Sequence, residues 1–258
     1  MIRVAIANQK GGVGKTTTAI NIATAMAATG WKVLLIDLDP QGNASTGIGI
    51  ATSERERSSY DLLVDQTPIA ECRMATRIPN LDVIPATVDL SGAEVELVSV
   101  EGRTDRLREA LEGASGHDIC FIDCPPSLGL LTLNALCAAD TLLVPLQCEF
   151  FALEGLSQLL QTVERVQQRF NPNLGIVGVA LTMFDRRNRL TDQVADDVRS
   201  CLGNLVFEAV IPRNVRLSEA PSHGLPALVY DHTCAGSRAY MALARELITR
   251  LPEKRKAA

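Results

Sequence analysis

The sequence predicts an α/β fold, in which a mostly parallel, twisted sheet of about seven or eight strands has helices on both faces. Short runs rich in valine, isoleucine and leucine recur along the 258 residues, and they are continuously apolar rather than alternating, as strands buried on both faces are. Stretches with helical spacing of apolar residues lie between most of these runs, and such alternation favours a parallel sheet covered by helices. Neither a repeat nor a linker interrupts the pattern, so we expect a single domain spanning residues 1–258.

The predicted strands are short and buried, and longer amphipathic segments separate them. Strands are expected at residues 3–7, 32–37, 81–85, 118–123, 141–145, 175–183 and 206–211. Helices are expected at residues 15–28, 103–111, 130–138, 154–169, 192–202 and 236–251. Residues 50–80 are the least regular stretch and are expected to form a surface excursion, and the basic tail 254–256 is expected to fray.

Composition and charge exclude several classes of protein. Apolar residues make up 47% and charged residues 21% of the chain, as in ordinary globular proteins rather than disordered ones. No apolar run reaches the length of about 20 residues that spans a membrane, and a strand begins where a signal peptide would lie, so we expect a cytoplasmic protein. The seven cysteines form no C-x-x-C pair and are expected to be reduced thiols. The net charge of −5 makes nucleic-acid binding less expected but leaves room for a local basic patch.

A glycine-rich segment lies between the first predicted strand and the first predicted helix, which is the context that a phosphate-binding P-loop requires. Its glycines let backbone N–H groups turn inward around phosphate oxygens, and the helix N-terminus adds a favourable dipole. Lys15 would reach the β- and γ-phosphates of ATP, and the Thr16 hydroxyl would bind Mg²⁺. The predicted fold is therefore a single-domain P-loop NTPase, and the predicted phosphate-binding residues are Lys10, Gly11, Gly12, Val13, Gly14, Lys15, Thr16 and Thr17.

Acidic residues follow two further predicted strands. Asp37 and Asp39 are two residues apart at the end of the strand 32–37, so they lie on the same face. Asp123 ends the strand 118–123 in a Walker B arrangement, and it would act on Mg²⁺ through water. Carboxylates at the C-terminal edge of a parallel sheet can hold metal-bound waters or orient an attacking water. Each pattern alone is common, but their order behind a P-loop favours a nucleotide hydrolase.

The P-loop has an unusual second lysine. Gln9 occupies the position of the first glycine in the common G-x-x-x-x-G-K-[ST] pattern, and the loop reads K-G-G-V-G-K-T-T. This form resembles the deviant Walker A motif of the MinD/ParA class of P-loop ATPases. In that class the early lysine, here Lys10, reaches across a dimer interface to the phosphates of the partner subunit. The local alternative is a solvated loop lysine.

Other segments resemble the chromosomal ParA/Soj branch of that class. They are L-D-V-I-P-A at 81–86, D-C-P-P-S-L-G at 123–129, Q-C-E at 147–149, A-L-E-G at 152–155 and I-P-R-N-V-R-L-S-E-A-P-S at 211–222. The resemblance implies slow, Mg²⁺-dependent ATP hydrolysis that drives chromosome or plasmid partitioning. ATP would close a homodimer, the dimer would bind double-stranded DNA without sequence preference, and a centromere-bound ParB-type partner would stimulate hydrolysis and release it. The implied location is the cytoplasm, in association with the nucleoid.

The same resemblance assigns roles to individual residues. Lys10, Lys15 and Asp39 would be catalytic, with Asp39 positioning or activating the hydrolytic water. Asp37 would support the Mg²⁺ shell. The remaining assignments are Pro212 and Asn214 on the adenine side, Glu149 near the dimer face, and Arg187 and Arg216 on DNA.

Two clusters of arginines are relevant to DNA binding independently of the family resemblance. Arg186, Arg187 and Arg189 follow one predicted strand, and Arg213 and Arg216 follow another. Both clusters lie beyond strand C-termini, so they could converge and bind phosphates with strong salt dependence. The alternative is that these arginines pair with nearby acids, such as Asp185 and Glu219, on a solvated surface.

Three other functions use similar motifs. A MinD-like membrane-positioning ATPase would need a terminal amphipathic helix for the bilayer, whereas the final predicted helix has the spacing of a helix packed on the core. A reductase with a shared iron–sulfur cluster would need suitably placed cysteines, and an ATP-dependent ligase would need a second substrate pocket. Because the P-loop begins at Lys10, we expect no N-terminal helix-turn-helix domain and no binding to a specific operator.

Overall fold

The computed structural model describes residues 1–251 and contains a seven-stranded sheet with helices on both faces. The basic tail 254–256 lies outside the described residues. The strand order is β3-β4-β2-β5-β1-β6-β7, and every neighbouring pair is parallel except β3 with β4. The predicted fold class is confirmed. The strands are β1 Ile2–Ile6, β2 Val33–Asp37, β3 Met74–Ala75, β4 Leu81–Ile84, β5 Ile119–Asp123, β6 Thr141–Gln147 and β7 Gly175–Thr182.

This part of the chain contains twelve α-helices and four short 3₁₀ turns, and the last four helices follow the final strand, β7. The early helices are α1 Lys15–Ala28, α2 Asn43–Gly47, α3 Ser59–Leu63, α4 Ile69–Cys72, α5 Leu90–Glu96 and α6 Arg106–Glu112. The later helices are α7 Leu130–Ala138, α8 Ala152–Arg169, α9 Arg189–Leu202, α10 Val215–Glu219, α11 Ala227–Tyr230 and α12 Ala235–Arg250. Over residues 1–251, none of these helices has both the length and the apolar character needed to cross a bilayer.

The sheet separates two apolar layers, because successive side chains of a strand point to opposite faces. In β2, Leu34 and Ile36 pack into the layer that includes α7 and α8, and Val33 and Leu35 pack into the layer that includes α1 and α12. Helix α1 is buried along most of its length. The core therefore holds β1, β5 and β2 rigidly at the centre of the sheet, where their C-terminal ends lie side by side.

The predicted strand at 206–211 is wrong. The segment runs beside β7, and the Phe207 and Ile211 N–H groups donate to carbonyls of that strand at 2.9 and 2.8 Å, but only isolated bridges form. Between them, the N–H groups of Glu208 and Ala209 donate to the carboxylate of Glu246, each at 3.0 Å. The Glu246 side chain of α12 thus accepts the hydrogen bonds that a neighbouring strand would otherwise accept, and a regular strand does not form.

The expected surface excursion at residues 50–80 contributes to the core instead. Helices α3 and α4 and the strand β3 form there, and Leu62, Leu63 and Cys72 are buried in the layer of α7 and α8. Strand β3 is two residues long and antiparallel to β4. Such a short edge strand has no periodicity that a sequence pattern could show.

Candidate functional site

The phosphate-binding loop follows β1 and has the backbone that its glycines predict. Gly12 and Gly14 have φ angles of 74° and 86°, in the left-handed region that glycine adopts without strain. The Val13 side chain is buried beneath the loop, and its carbonyl accepts a hydrogen bond of 2.8 Å from Thr182 Oγ1. Val13 can therefore contribute to phosphate binding only through its backbone. The contact with Thr182 fixes the loop against the end of β7.

The two lysines of the loop have different environments. Lys15 is 7% exposed, and its Nζ donates to the Lys10 carbonyl at 3.0 Å. Burial lowers the pKa of Lys15, and the charge of Asp123 opposes this shift. Lys10 has a side chain that is 40% exposed, and its Nζ forms an ion pair with Glu149. Of the two lysines, only Lys15 has a side chain that contacts the phosphate-binding loop.

Asp37 and Asp123 are cross-strand neighbours at the ends of β2 and β5, and both are fully buried. The Asp37 carboxylate accepts hydrogen bonds from Ser45 N, Ser45 Oγ and Asp39 N at 2.9, 2.7 and 3.2 Å. Burial raises the pKa of Asp37 to about 6, although these hydrogen bonds favour its charged form. The carboxylate holds the turn between β2 and α2, and this turn carries Asp39.

Asp123 has no comparable set of partners. Neither of its carboxylate oxygens meets the geometry of a hydrogen bond with any group of the described chain. Burial raises the pKa of Asp123 well above its usual value and the charge of Asp37 adds to the shift, whereas nearby Thr16 and Lys15 favour the ionised form. An unpartnered buried carboxylate is costly. Asp123 therefore has free oxygens for a group that completes the site.

The residues around Asp123 fit Mg²⁺ bound together with phosphate. The part of the chain that the structure describes contains no cluster of three or more histidine, cysteine or acidic side chains that could hold a metal ion. Mg²⁺ commonly keeps several waters and takes only one or two protein ligands beside substrate phosphates. The Thr16 hydroxyl and the Asp123 oxygens match this incomplete ligand set.

Two adjoining clefts bring most of the predicted nucleotide-binding residues together. The first has a volume of about 440 Å³ and is lined by Gly11, Gly12, Gly14, Lys15, Thr16, Thr17, Asp39, Gln41, Asn43, Pro126 and Met183. The second has a volume of about 300 Å³ and contains Pro212 and Asn214 together with apolar side chains. Gly14, Thr17 and Met183 belong to both. The cleft beside the phosphate-binding loop thus continues into the cleft that Pro212 and Asn214 line.

Sequence reasoning missed Met183, which lies where the two clefts meet. Its φ of 50° is left-handed, which is uncommon for residues other than glycine and often marks functional sites. The sequence shows only a methionine at the end of a predicted strand, so no pattern identifies this conformation.

The arginines predicted to contact DNA are exposed and paired with acids. Arg187 is 87% exposed and bonds Asp185 through two nitrogens at 2.9 and 2.8 Å, which lowers the pKa of Asp185 to about 2. Arg216 bonds Glu219 at 2.8 Å and lies 3.6 Å from Asp231. The pairing considered above as the alternative is therefore present. Exposed pairs of this kind contribute little to stability, so an arginine can exchange its acid for a phosphate.

A groove of about 1220 Å³ lies beside the second cleft. Arg186, Arg187 and Arg213 line it, whereas Arg189 and Arg216 are not among its lining residues, so the predicted convergence of the two clusters is only partly met. Two arginines that sequence reasoning missed, Arg199 of α9 and Arg238 of α12, complete a group of five that faces three acids, Asp185, Asp192 and Glu208.

Comparisons with known proteins agree with this geometry. A family model described as an AAA domain matches residues 1–176. The chromosome partitioning protein ParA of Caulobacter vibrioides is 60% identical over 250 residues, which cover 96% of this chain and 94% of the relative. The sporulation initiation inhibitor protein Soj of Bacillus subtilis is 53% identical over 245 residues, which cover 95% and 97% of the two chains.

A solved structure with the same fold contains a bound nucleotide and a metal ion. It is cobyrinic acid a,c-diamide synthase from Mycobacterium smegmatis with bound ADP and magnesium, with a TM-score of 0.83, 37% identity and coverage of 96% of this chain and 94% of that chain. The higher identity to partition proteins, over nearly the whole of each chain, decides the family. The chain belongs to the ParA/Soj family of chromosome-partitioning ATPases.

Proposed function

We propose that this ATPase works as a single domain that dimerises around ATP and Mg²⁺, binds double-stranded DNA without sequence preference, and is released when a ParB-type partner stimulates hydrolysis. The observation that carries the proposal is the division between the two P-loop lysines. Lys15 lines the phosphate cleft, whereas Lys10 is not among its lining residues and pairs with Glu149. A second copy of the chain would give Lys10 a phosphate to bind.

Within one subunit, the chain's own groups bind and orient ATP. The phosphates would lie in the cleft of about 440 Å³ against the loop N–H groups and Lys15, and the adenine would lie against Pro212 and Asn214. Thr16 and Asp123 would hold Mg²⁺, with Asp37 supporting this shell indirectly through its bonds to the turn that follows β2. Bound Mg²⁺ would neutralise charge that develops on the phosphates.

Asp39 is placed to orient or activate the attacking water. It lines the phosphate cleft, and its Oδ1 accepts a hydrogen bond of 3.0 Å from Gln41 N. No other hydrogen bond to the Asp39 side chain is found in the described residues, so Oδ2 remains open to the cleft. A carboxylate in this position can accept the proton of a water that attacks the γ-phosphate.

The DNA-binding surface would combine Arg187 and Arg216 with the arginine groove. Dimer formation doubles the number of arginines, and each arginine that contacts a phosphate releases counterions. This local charge offsets the net charge of −5. Binding to DNA would associate the cytoplasmic protein with the nucleoid.

Gly11 allows a direct test of the dimer. Its φ is not among the positive values, and a Cβ placed there meets no atom within 4 Å, whereas Gly12 has a φ of 74° that would strain any other residue. Gly11→Val should therefore fold but fail to dimerise even when it is saturated with ATP, because the added side chain meets the second subunit. Gly113→Val is the matched control, since Gly113 is also exposed, open around Cβ and without positive φ.

The measurement is sedimentation velocity with Mg²⁺ and a non-hydrolysable ATP analogue. We expect wild type and Gly113→Val to dimerise and Gly11→Val to remain monomeric at an analogue concentration that calorimetry shows to saturate each protein. Normal dimerisation of Gly11→Val would contradict a dimer interface that passes over the P-loop.

A further inference from the structure

The ion pair between Lys10 and Glu149 is held in place from both sides. The other oxygen of Glu149 accepts a hydrogen bond from the side chain of Gln147. The Lys10 N–H donates to Asn8 Oδ1 at 3.0 Å, and Asn8 Nδ2 donates to the Pro145 carbonyl at 2.8 Å. The end of β6 therefore fixes both the carboxylate and the backbone of the lysine. Such support distinguishes this pair from a chance surface contact.

We propose that Glu149 holds Lys10 in the free subunit as a substitute for the partner's phosphate, so that dimer formation must break two of these ion pairs. The inference rests on the proposed function, in which Lys10 acts on the nucleotide of the second copy. The ammonium group has three N–H donors, but a Glu149 carboxylate left beside it would repel the partner's phosphate, so the ion pair has to open for Lys10 to bind that phosphate closely. Glu149 thus sets the protein concentration at which ATP produces dimers.

An exposed aromatic pair follows Glu149 directly along the chain. Phe150 and Phe151 are 74% and 64% exposed, and their rings contact each other edge to face with centroids 5.1 Å apart. Large adjacent apolar side chains exposed in this way mark interaction surfaces. Since the group that takes Lys10 from Glu149 must approach beside these rings, their partner is the second copy of this chain. Burying the rings would offset the loss of the ion pairs.

The expected size of the effect follows from the exposure of the pair. The side chains of Lys10 and Glu149 are 40% and 45% exposed, and ion pairs of this kind change an equilibrium by about 1.4- to 5-fold. Because two pairs break for each dimer, removing the charge of Glu149 should tighten the dimer by about 2- to 30-fold. The gain should shrink at high salt, which screens the ion pair in wild type.

The test is the dimer dissociation constant of wild type, Glu149→Gln and Glu154→Gln, measured by sedimentation velocity with Mg²⁺ and a non-hydrolysable ATP analogue. Glu154 is exposed, lies in the same segment, and makes no ion pair among the described residues, so it controls for the loss of one negative charge. We expect tighter dimers only for Glu149→Gln, with analogue affinity of the monomer unchanged. Equal or weaker dimerisation of Glu149→Gln would overturn the inference.

The aromatic pair has a separate test. The double variant Phe150→Ala, Phe151→Ala should weaken dimerisation by about 10-fold or more while it keeps analogue binding. Phe170→Ala, at the opposite end of α8, is the control for an exposed phenylalanine. Wild-type dimerisation of the double variant would refute the aromatic surface. If wild type itself stays monomeric with the analogue, the proposed function fails; if wild type dimerises and every variant matches it, only this inference fails.

Discussion

The nucleotide cleft and the arginine groove meet different physical demands. The cleft collects residues from the ends of adjacent central strands, and the buried carboxylate of Asp123, close to Thr16 and Lys15 of the cleft, accepts no hydrogen bond of good geometry from the described chain. The groove collects arginines from two helices and two loops, and Arg187 at its edge already has an acid partner. The cleft thus has an unsatisfied carboxylate beside it that a ligand could use, whereas arginines around the groove could bind phosphates only by exchanging their acid partners. Substitutions in the cleft should have large effects and those around the groove small, salt-dependent ones.

The largest effect is expected for Asp39→Ala. Loss of a group that orients or deprotonates the attacking water should slow ATP hydrolysis by about 10²- to 10⁴-fold, while ATP still binds and the dimer persists on DNA. Single-turnover hydrolysis and DNA retention measure the two properties, with Asp65→Ala, an exposed acid, as the control. Normal turnover by Asp39→Ala would show that another residue positions the water.

The next largest effect is expected for Lys15→Ala. Removing a charged donor from the phosphate cleft should weaken ATP binding by about 10²-fold, which corresponds to about 3 kcal/mol. Isothermal titration calorimetry checks this, and Lys32→Ala, which removes an exposed lysine before β2, should bind as wild type does. Unchanged affinity of Lys15→Ala would place the phosphates elsewhere.

A third variant, Asp123→Asn, should stabilise the nucleotide-free protein while it impairs hydrolysis. Burial raises the pKa of Asp123, so the folded state disfavours the ionised carboxylate. The resulting loss of folding stability is absent at pH values below the pKa of the unfolded state. It grows as the pH rises toward the pKa of the folded state and is complete above it. The amide should therefore raise the free energy of unfolding by about 1–3 kcal/mol at pH 8, and by less at pH 5.

Chemical denaturation at both pH values, without nucleotide, is the measurement for Asp123→Asn. Asp65→Asn should show no difference from wild type because Asp65 is exposed. A destabilised Asp123→Asn protein at pH 8 would mean that the carboxylate already has a stabilising partner in the nucleotide-free state.

The smallest effects are expected for the arginines. Arg187→Ala and Arg216→Ala should change the free energy of unfolding by less than about 0.5 kcal/mol, but each should lower the slope of log K against log salt by about 2, since a dimer loses two phosphate contacts. Arg199→Ala and Arg238→Ala should do the same if DNA enters the groove.

The control for these variants is Arg57→Ala, which breaks an exposed pair with Asp61 at 2.9 Å outside the groove. DNA affinity of each variant is measured from 50 to 300 mM salt, on the order of the range over which counterion effects are large. An unchanged slope for both Arg187→Ala and Arg216→Ala would refute their assignment to DNA.

The P-loop, Asp37, Asp39 and Asp123 could be predicted because each lies in a short motif at the end of a strand, whereas Met183 lies in no such motif and was missed. The P-loop, Asp37 and Asp123 need only a parallel sheet to bring them together, and the register of β2 with β5 does so. Contacts between distant segments were not predictable in this way. Lys10 and Glu149, which form an ion pair, are 139 residues apart in the sequence. Glu246 accepts hydrogen bonds from the backbone of Glu208 and Ala209, which are 38 and 37 residues away from it.

The arginine groove shows the same limit. Arg199 and Arg238 join it only because α9 and α12 end up beside the segment after β7, and nothing in their local sequence distinguishes them from other exposed arginines. Local patterns therefore predicted which motif residues gather at the nucleotide cleft, whereas the composition of the groove became visible only in the three-dimensional fold.

DNA binding in three nucleotide states tests the central claim most directly. Wild type and Lys10→Ala would be titrated with a duplex of arbitrary sequence in the presence of a non-hydrolysable ATP analogue, ADP or no nucleotide, with fluorescence anisotropy as the readout. The account predicts binding by wild type with the ATP analogue alone, and loss of that binding in Lys10→Ala. Equal DNA binding in all three states, or by Lys10→Ala with the analogue, would contradict an ATP-dependent dimer as the DNA-binding form.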